Sequence, residues 1–482
     1  MMHEMPRHPS RFSPFERKRR TVSRLALYGS ALLAAGAAVA FVTLLQRPMR
    51  SYGSEEFRDA DYEHLPEVIE FRDYVRIDTT DATGDEAAGA RFLARELAAA
   101  GIAAHVQAMG PRKANLWAIL EGRDPKAIVL HSHLDVENIH PTEDWFVPPF
   151  EARLDLPWIY GRGVFDMKSL AIAQLRAFIA LKKSGRPLAR SVILLATSSE
   201  ETGSGLGARW LIANRPDLVR RFGTVLTEGG FVEARSRADI KYWGIEIGQK
   251  HYVDLEICGA SREPLEQIAK WLKEMRPSLG YLRVNPAVRE YLKRYAPTRD
   301  DERIRAALAD PDAAVLDHAA FAKLPLYVQA FFRDEALPFD VEADPGGGFE
   351  LKVVYHLLED TRFEDVRDRL VPPGLLHGLA VHWEDPAGPH APSPTGTETF
   401  RALVAAVERR YPQADVGPAL LPWTATDSRF FRAAGIPSYG FSPFLILSTD
   451  TLQVDNANER LAIPGFVEGV KLYEELLRTL AL

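Results

Sequence analysis

Apolar and amphipathic segments alternate along the chain from about residue 65 to residue 230. Segments whose apolar positions recur at helical spacing predict helices, and short continuous apolar runs predict buried strands. The predicted helices are 66–75, 86–99, 169–183 and 207–214, and the predicted strands are 116–120, 127–131, 191–198 and 223–227. This alternation is typical of an α/β domain with a mostly parallel sheet.

The pattern changes after about residue 245 and returns to the first kind near residue 395. The intervening strand-like runs and helices predict a small α+β domain inserted into the first domain, and they are 252–258, 263–275, 349–358, 363–370 and 379–383. A stretch rich in Pro and Ala at 386–394 is typical of a linker back. The globular part therefore divides into one domain built from 51–245 and 386–482 and an inserted domain, 246–385.

The first part of the chain, 1–50, forms a separate unit. Arg17-Lys-Arg-Arg20 precedes an uncharged apolar stretch at about 25–45, and about 20 apolar residues are enough for a helix to span a bilayer. We predict a membrane anchor whose positive flank stays cytoplasmic, which places the globular part on the periplasmic or extracellular side. The alternative is a cleaved signal peptide, because Ala38-Val-Ala40 resembles a cleavage site.

Composition narrows the classes of function. The formal net charge is −7, and no basic stripe is interleaved with aromatic residues, which argues against nucleic-acid binding. Cys258 is the single cysteine, so the sequence excludes an internal disulfide and a cysteine-based metal site. A metal site in this chain would have to use histidine and carboxylate side chains.

One histidine and five carboxylates recur near the ends of the predicted strands. In a parallel sheet the carboxyl ends of the strands present their side chains to one crevice. One imidazole with several carboxylates suits two divalent ions, with zinc as the first candidate. The candidate residues are His133, Asp135, Asp166, Glu200, Glu201 and Glu228.

The motifs His133-Leu-Asp135, Glu200-Glu201 and Tyr160-Gly-Arg-Gly-Val-Phe-Asp-Met-Lys168 resemble a known family. It is the family of dinuclear zinc peptidases and aminoacylases, peptidase family M20, and the carboxypeptidase S-like and fatty-acyl amino acid hydrolase branch looks most similar. The similarity extends over about 65–480. It implies a zinc-exopeptidase-like catalytic domain with a mostly parallel sheet, and a ferredoxin-like inserted domain that serves as a lid or for homodimerisation.

The resemblance implies a set of metal ligands. His133 would bind one metal, Asp166 would bridge both, Glu228 would complete the first site, and Glu201 would serve the second. The family's last ligand is a histidine near the C-terminus, where this chain has Asp455. A carboxylate is an acceptable zinc ligand, so we expect Asp455 to replace it, with manganese or cobalt as the other candidate metals. The alternative is that Asp455 is a turn residue and the second metal is weak or absent.

The resemblance also implies the catalytic groups. Glu200 would act as general base on a metal-bound water, and Asp135 would fix the tautomer of the histidine ligand. Arg429 is the candidate for holding a substrate carboxylate in bidentate fashion, with a structural ion pair to Asp427 as the alternative.

Two positions in the inserted domain depart from the family. Ala260 stands where the family usually carries a histidine, and His356 stands where an arginine is common. The first hypothesis is nevertheless a metal-dependent hydrolase that cleaves an amide bond in a small peptide or an N-acyl amino acid. The alternative is an inactive member of the family that binds a small carboxylate or a protein partner.

Overall fold

Three sheets organise the chain in the computed structural model, which describes residues 62–275, 282–344 and 346–482. The strands are β1 Ala104–Ala108, β2 Ala114–Leu120, β3 Asp124–His133, β4 Arg153–Asp155, β5 Trp158–Tyr160, β6 Arg190–Thr197, β7 Phe222–Thr227, β8 Phe231–Ser236, β9 Asp239–Gln249, β10 His251–Gly259, β11 Glu335–Pro338, β12 Glu342–Ala343, β13 Phe349–Leu357, β14 Ala380–Glu384, β15 Val416–Leu421, β16 Ser438–Gly440 and β17 Arg460–Ala462. The α-helices are α1 Pro66–Val75, α2 Glu86–Ala99, α3 Lys168–Lys183, α4 Ala208–Asn214, α5 Pro216–Val219, α6 Arg262–Met275, α7 Pro286–Tyr295, α8 Glu302–Ala309, α9 Pro311–Ala314, α10 His318–Phe321, α11 Leu326–Ala330, α12 Phe363–Leu370, α13 Glu398–Arg410, α14 Ser428–Ala433, α15 Ser448–Thr451 and α16 Ile463–Ala481.

The largest sheet has nine strands, in the order β1-β2-β6-β3-β7-β16-β9-β15, with β8 paired to β9. Strands β6, β3, β7 and β16 form its parallel centre, and β9 and β15 are also parallel to each other. The antiparallel pairs are β1 with β2, β2 with β6, β9 with β16 and β8 with β9. The central strands therefore end at the same edge of the sheet.

Helices cover both faces of this sheet. Ile128 and Leu130 of β3 belong to a buried core that also contains residues of α1, α3 and α16. Ala127 and Val129, which point to the opposite face, belong to a second core with residues of α4 and α14. This three-layer arrangement confirms the predicted α/β fold class.

The second sheet forms the inserted domain. Its antiparallel strands lie in the order β11-β13-β10-β14, with β12 paired to β13. Helices α6 and α12 contribute Leu265, Leu272 and Val366 to the core on this sheet. Without the two-residue β12 and helices α7 to α11, the chain order of strand, helix, two strands, helix and strand matches a ferredoxin-like unit, as predicted.

Helices α7 to α11 do not contribute to the core of this inserted unit. Val288, Tyr291 and Leu292 of α7 are buried in the same core as Tyr242 of β9. The segment therefore packs against the large sheet, although the sequence assigns it to the inserted domain, 246–385. The domain boundaries themselves stay predictions.

The predicted membrane-anchored, extracytoplasmic location has to be corrected. A membrane-spanning helix needs about 20 predominantly apolar residues. None of the helices within 62–275, 282–344 and 346–482 is long and apolar enough to cross a membrane. The longest, α16, has 19 residues, among them Glu468, Lys471 and Glu474, and it packs in the core. The predicted anchor at 25–45 lies outside the described residues, and neither anchoring nor an extracytoplasmic location is assigned.

Candidate active site

The candidate residues from the sequence meet at the carboxyl edge of the parallel strands. His133 is the last residue of β3. The Glu200-Glu201 pair follows β6, which ends at Thr197, and Glu228 follows β7 directly. Because β6, β3 and β7 are neighbours in the sheet, their ends lie side by side.

Distances between the side chains define two overlapping clusters. His133 Nε2 lies 2.9 Å from Asp166 Oδ1 and 3.6 Å from Glu228 Oε2. Ligand atoms of His133, Asp166 and Glu201 all lie within 4.8 Å of one another, and so do those of His133, Glu200 and Glu228. Spacing of this kind suits divalent ions shared among several ligands.

Asp135 contacts both the histidine and the glutamate pair. Its backbone carbonyl accepts a hydrogen bond from His133 Nδ1 at 2.9 Å, while its carboxylate Oδ1 lies 3.6 Å from the same nitrogen. The carboxylate instead accepts the backbone N–H groups of Glu200 at 3.0 Å and Glu201 at 2.8 Å. Since a carbonyl can only accept, Nδ1 donates this hydrogen bond, and Nε2 is the ring nitrogen that faces Asp166 and Glu228, where a metal ion would bind.

The loop that presents Asp166 is fixed by Glu459, which the sequence analysis left without a role. The buried Glu459 carboxylate accepts the backbone N–H groups of Gly163 at 3.0 Å and Phe165 at 2.8 Å. Arg162, also buried, donates to the same carboxylate at 3.2 Å. Gly163 has a φ of +78°, a region that favours glycine. The Gly-Arg-Gly motif is thus a tight loop held from the C-terminal part of the chain.

Asp455 lies beside the clusters but in neither of them. It precedes β17, in a backbone conformation with a φ of +56°. Burial, followed by the charge of Asp166, raises the pKa of Asp455 well above its ordinary value. Its Oδ1 is buried, and no residue of the described part of the chain forms a hydrogen bond with it.

The electrostatics of the site call for cations. Burial raises the pKa values of Glu200 and Glu201 well above the ordinary range, and burial with the charge of Asp166 raises the pKa of Glu228 to about 8. Burial alone would lower the pKa of His133, but Glu228 and the neighbouring aspartates raise it well above its usual value. Carboxylates packed this closely stay ionised at neutral pH only if positive charge is added.

The residues present fit divalent metal ions. Glu201 Oε1 and Asp455 Oδ1 are buried oxygens that lack a hydrogen-bond partner among the described residues. Such atoms are costly unless a cation or a donor meets them. One imidazole nitrogen with several carboxylate oxygens is a donor set that zinc, manganese and cobalt accept.

Arg429 lies at the start of α14 and belongs to neither cluster, but its positive charge acts on the Glu200 carboxylate. It is 8% exposed, its guanidinium lies 4.7 Å from the Phe430 ring, and its Nε has no hydrogen-bond partner in the described residues. The carboxylate of Asp427 accepts from Ser204 Oγ instead. Arg429 therefore keeps hydrogen-bonding capacity for a ligand.

The structure also locates the two positions of the inserted domain that differ from the family pattern, Ala260 and His356. Ala260 follows β10, and the nearby Arg262 is exposed and paired with Glu266 at 3.2 Å. His356 is buried in β13, with its ring 4.4 Å from that of Tyr252.

The sequence is similar to those of known proteins. The family model described as Peptidase family M20/M25/M40 matches residues 129–479. Aminoacylase-1A of Rattus norvegicus is 26% identical over 430 residues, which cover 86% of this chain and 95% of that protein.

Solved structures agree on the fold. The M20 family metallo-carboxypeptidase Sso-CP2 from Sulfolobus solfataricus superposes with a TM-score of 0.66 at 17% identity, covering 86% of this chain and 99% of that one. Human carnosine dipeptidase 1 gives a TM-score of 0.58 at 14% identity, covering 85% and 96%. The family predicted from the motifs is confirmed, since its model matches well over half of the sequence. The chain belongs to peptidase family M20/M25/M40 and is a hydrolase that acts on amide or peptide bonds.

Proposed function

We propose that this hydrolase cleaves the amide bond of an N-acyl amino acid or a small peptide with a free carboxylate, with Glu200 as its general base. The observation that carries the proposal is the position of Glu200. Its side chain reaches the cluster with His133 and Glu228, and its backbone N–H is held by Asp135. Similarity to an aminoacylase and to a metallo-carboxypeptidase supports this class of substrate.

Divalent metals complete the proposal. His133, Asp166 and Glu228 would hold one ion, and Asp166, Glu201 and Asp455 would hold the other, with zinc as the first candidate and manganese or cobalt as alternatives. When bound, these ions lower the pKa of a water and polarise the scissile carbonyl.

The side chains of the protein supply the proton transfer and the orientation. The Glu200 carboxylate takes a proton from the attacking water and delivers it to the nitrogen of the leaving amine. Asp135 fixes the ring of His133 and the direction of Glu200. Arg429 donates two N–H groups to the substrate carboxylate, which its unpartnered Nε supports.

The test compares Glu200→Gln with Glu228→Gln on a panel of N-acyl amino acids and dipeptides. Loss of a general base costs about a hundredfold to ten-thousandfold in kcat. We expect that loss in Glu200→Gln with the metal content unchanged by mass spectrometry, whereas Glu228→Gln loses metal as well. Glu121→Gln, which changes an exposed carboxylate paired with Arg221, is the control. Full turnover by Glu200→Gln would refute the general-base role.

The alternative function, an inactive binding protein, makes a different prediction in the same assay. Metal-loaded wild-type protein would then bind an N-acyl amino acid without releasing the amine. Turnover is favoured by the similarity to enzymes and by the presence of every candidate ligand and catalytic residue between His133 and Glu228.

A homodimer through the inserted domain is part of the proposal. Strand β14 is an edge of the inserted sheet, and Val381 and Trp383 on it are 39% and 37% exposed. An unpaired edge strand is a template for pairing with a second copy. Light scattering should give twice the chain mass for the wild type and the monomer mass for Val381→Lys, and a monomeric wild type would exclude the dimer.

A further inference from the structure

The turn that carries Glu200 and Glu201 is held by charged side chains from a distant part of the chain. Lys113 Nζ contacts the carboxylates of Asp81 and Glu86, and donates to Ser199 Oγ at 3.0 Å. Glu86 Oε2 accepts the backbone N–H of Ser199 at 3.1 Å and the hydroxyl of Ser198. Lys113, Glu86 and Ser199 thus form a closed ring of contacts at the base of the turn.

This ring acts on a backbone conformation that is unfavourable by itself. Ser199 has a φ of +63°, in the left-handed region that residues with a Cβ rarely adopt. The backbone N–H groups of Ser199, Glu200 and Glu201 donate hydrogen bonds to two carboxylates. Glu86 accepts the N–H of Ser199, and Asp135 accepts those of Glu200 and Glu201. The directions in which the two glutamates leave the strand depend on both carboxylates.

Stability alone is a poor explanation for this ion cluster. Side chains of Glu86 and Asp81 are 1% and 7% exposed, and that of Lys113 is 22% exposed. Removing three charges from water is costly, and packed apolar side chains often stabilise such a position as well or better. What a buried ion pair does offer is a fixed geometry, because charge-assisted hydrogen bonds are short and directional.

We propose that Glu86 and Lys113 are positioning residues for hydrolysis, which hold Ser199 in its left-handed conformation and thereby aim Glu200 and Glu201 into the metal site. The inference rests on the proposed role of Glu200. Neither residue touches the reacting atoms. Their contacts with Ser198 and Ser199 carry their effect to the glutamate pair, and the charge of Lys113 also acts on Asp135, which holds the same turn.

The test uses four variants of the full chain: Lys113→Met, Lys113→Arg, Glu86→Gln and the double variant Glu86→Gln/Lys113→Met. A misplacement of about 1 Å in a reacting group costs about a hundredfold in rate. We expect Lys113→Met and Glu86→Gln to lower kcat about tenfold to a hundredfold at saturating metal, with KM within about threefold of the wild type. Lys113→Arg keeps a cation in place and should recover most of kcat.

The double variant separates positioning from folding. It removes the Glu86 charge that Lys113→Met leaves unpaired and retains only Asp81, so we expect its melting temperature to lie above that of Lys113→Met while kcat stays low. Arg91→Met is the matched control, since Arg91 pairs with Asp85 at 2.8 Å on the same helix without contacting the turn. The proposal is overturned if Lys113→Met keeps kcat within twofold of wild type, or if kcat recovers along with the melting temperature in the double variant.

A second readout needs no turnover. The visible absorption of the cobalt-loaded protein reports the ligand geometry around the metal, and we expect Lys113→Met and Glu86→Gln to shift it while Arg91→Met does not. If the wild type cleaves no substrate but these two variants still shift the spectrum, the proposed function fails and the positioning role stands. An unchanged spectrum in both variants overturns the positioning role whatever the activity.

Discussion

Replacing Asp135 by Asn is expected to disable the site by misdirecting two hydrogen bonds rather than by removing a side chain. The two carboxylate oxygens of Asp135 accept the N–H groups of Glu200 at 3.0 Å and Glu201 at 2.8 Å. Asn offers one acceptor oxygen, so one of these N–H groups would face an NH₂ group instead. The side chain is buried, and water cannot take the place of the lost acceptor.

The magnitude follows from these contacts. A hydrogen bond to a charged group contributes about 1.5–3 kcal/mol, and a buried donor without a partner costs about 1–3 kcal/mol. Their sum, about 2.5–6 kcal/mol, corresponds to about seventyfold or more in kcat/KM when it appears in the transition state. The remainder should appear as a lower free energy of unfolding.

The assay measures kcat/KM, metal content and urea unfolding for Asp135→Asn beside Asp124→Asn. Asp124 starts β3, the strand that ends two residues before Asp135, and accepts the N–H of Lys126 at 2.9 Å on the surface, so its replacement should leave kcat/KM unchanged. If Asp135→Asn stays within threefold of wild type with full metal content, the two hydrogen bonds do not set the position of the glutamates and the reasoning is refuted.

Three further changes test other parts of the structure. Glu459→Gln should lower the free energy of unfolding by about 1–3 kcal/mol and reduce the metal content, because an amide pairs less well with Arg162 and with the loop N–H groups, while Glu143 still pairs with Arg162 at 3.0 Å; full metal binding would contradict this. Arg429→Met should raise KM at least about tenfold for an N-acyl amino acid but not for the matching carboxamide, since only the former has the carboxylate; equal effects on both would contradict it. Burial lowers the pKa of His390 to about 4, so between about pH 6.5 and pH 4 the unfolded state binds more protons than the folded one. The free energy of unfolding of the wild type should therefore decrease as the pH is lowered, by up to about 1.4 kcal/mol per pH unit in this window. The decrease should be less steep in His390→Gln and unchanged in the surface control His382→Gln. Equal slopes in the wild type and in His390→Gln would contradict this.

Much of the large sheet could be predicted because its central strands are buried on both faces. Continuous apolar runs at 127–131, 191–198 and 223–227 coincide within a few residues with β3, β6 and β7. The sequence pattern did not reveal β15, where Gly417 and Pro418 interrupt the run. Pro418 is tolerated there because β15 is the edge strand of the sheet.

The side chains gathered at the strand ends could be predicted for the same reason, but their supports could not. Glu459 contacts the Asp166 loop from 296 positions away at Gly163, and Glu86 contacts Ser199 across 113 positions. Long-range contacts of this kind leave no periodic signal. From the sequence alone, a buried acidic residue cannot be distinguished from one on the solvent-exposed surface.

The acidic residues of the site fall into two groups according to their hydrogen-bond partners. Asp135, Glu459 and Glu86 accept backbone N–H groups, so their charge is already matched by donors and their task is to hold loops. Glu201 and Asp455 each keep a buried oxygen that no donor reaches within the described residues. A buried carboxylate oxygen without a partner is costly, and the group stays ionised only if a cation meets it. This difference, rather than position in a motif, is why Asp455 belongs among the proposed metal ligands although the family carries a histidine there.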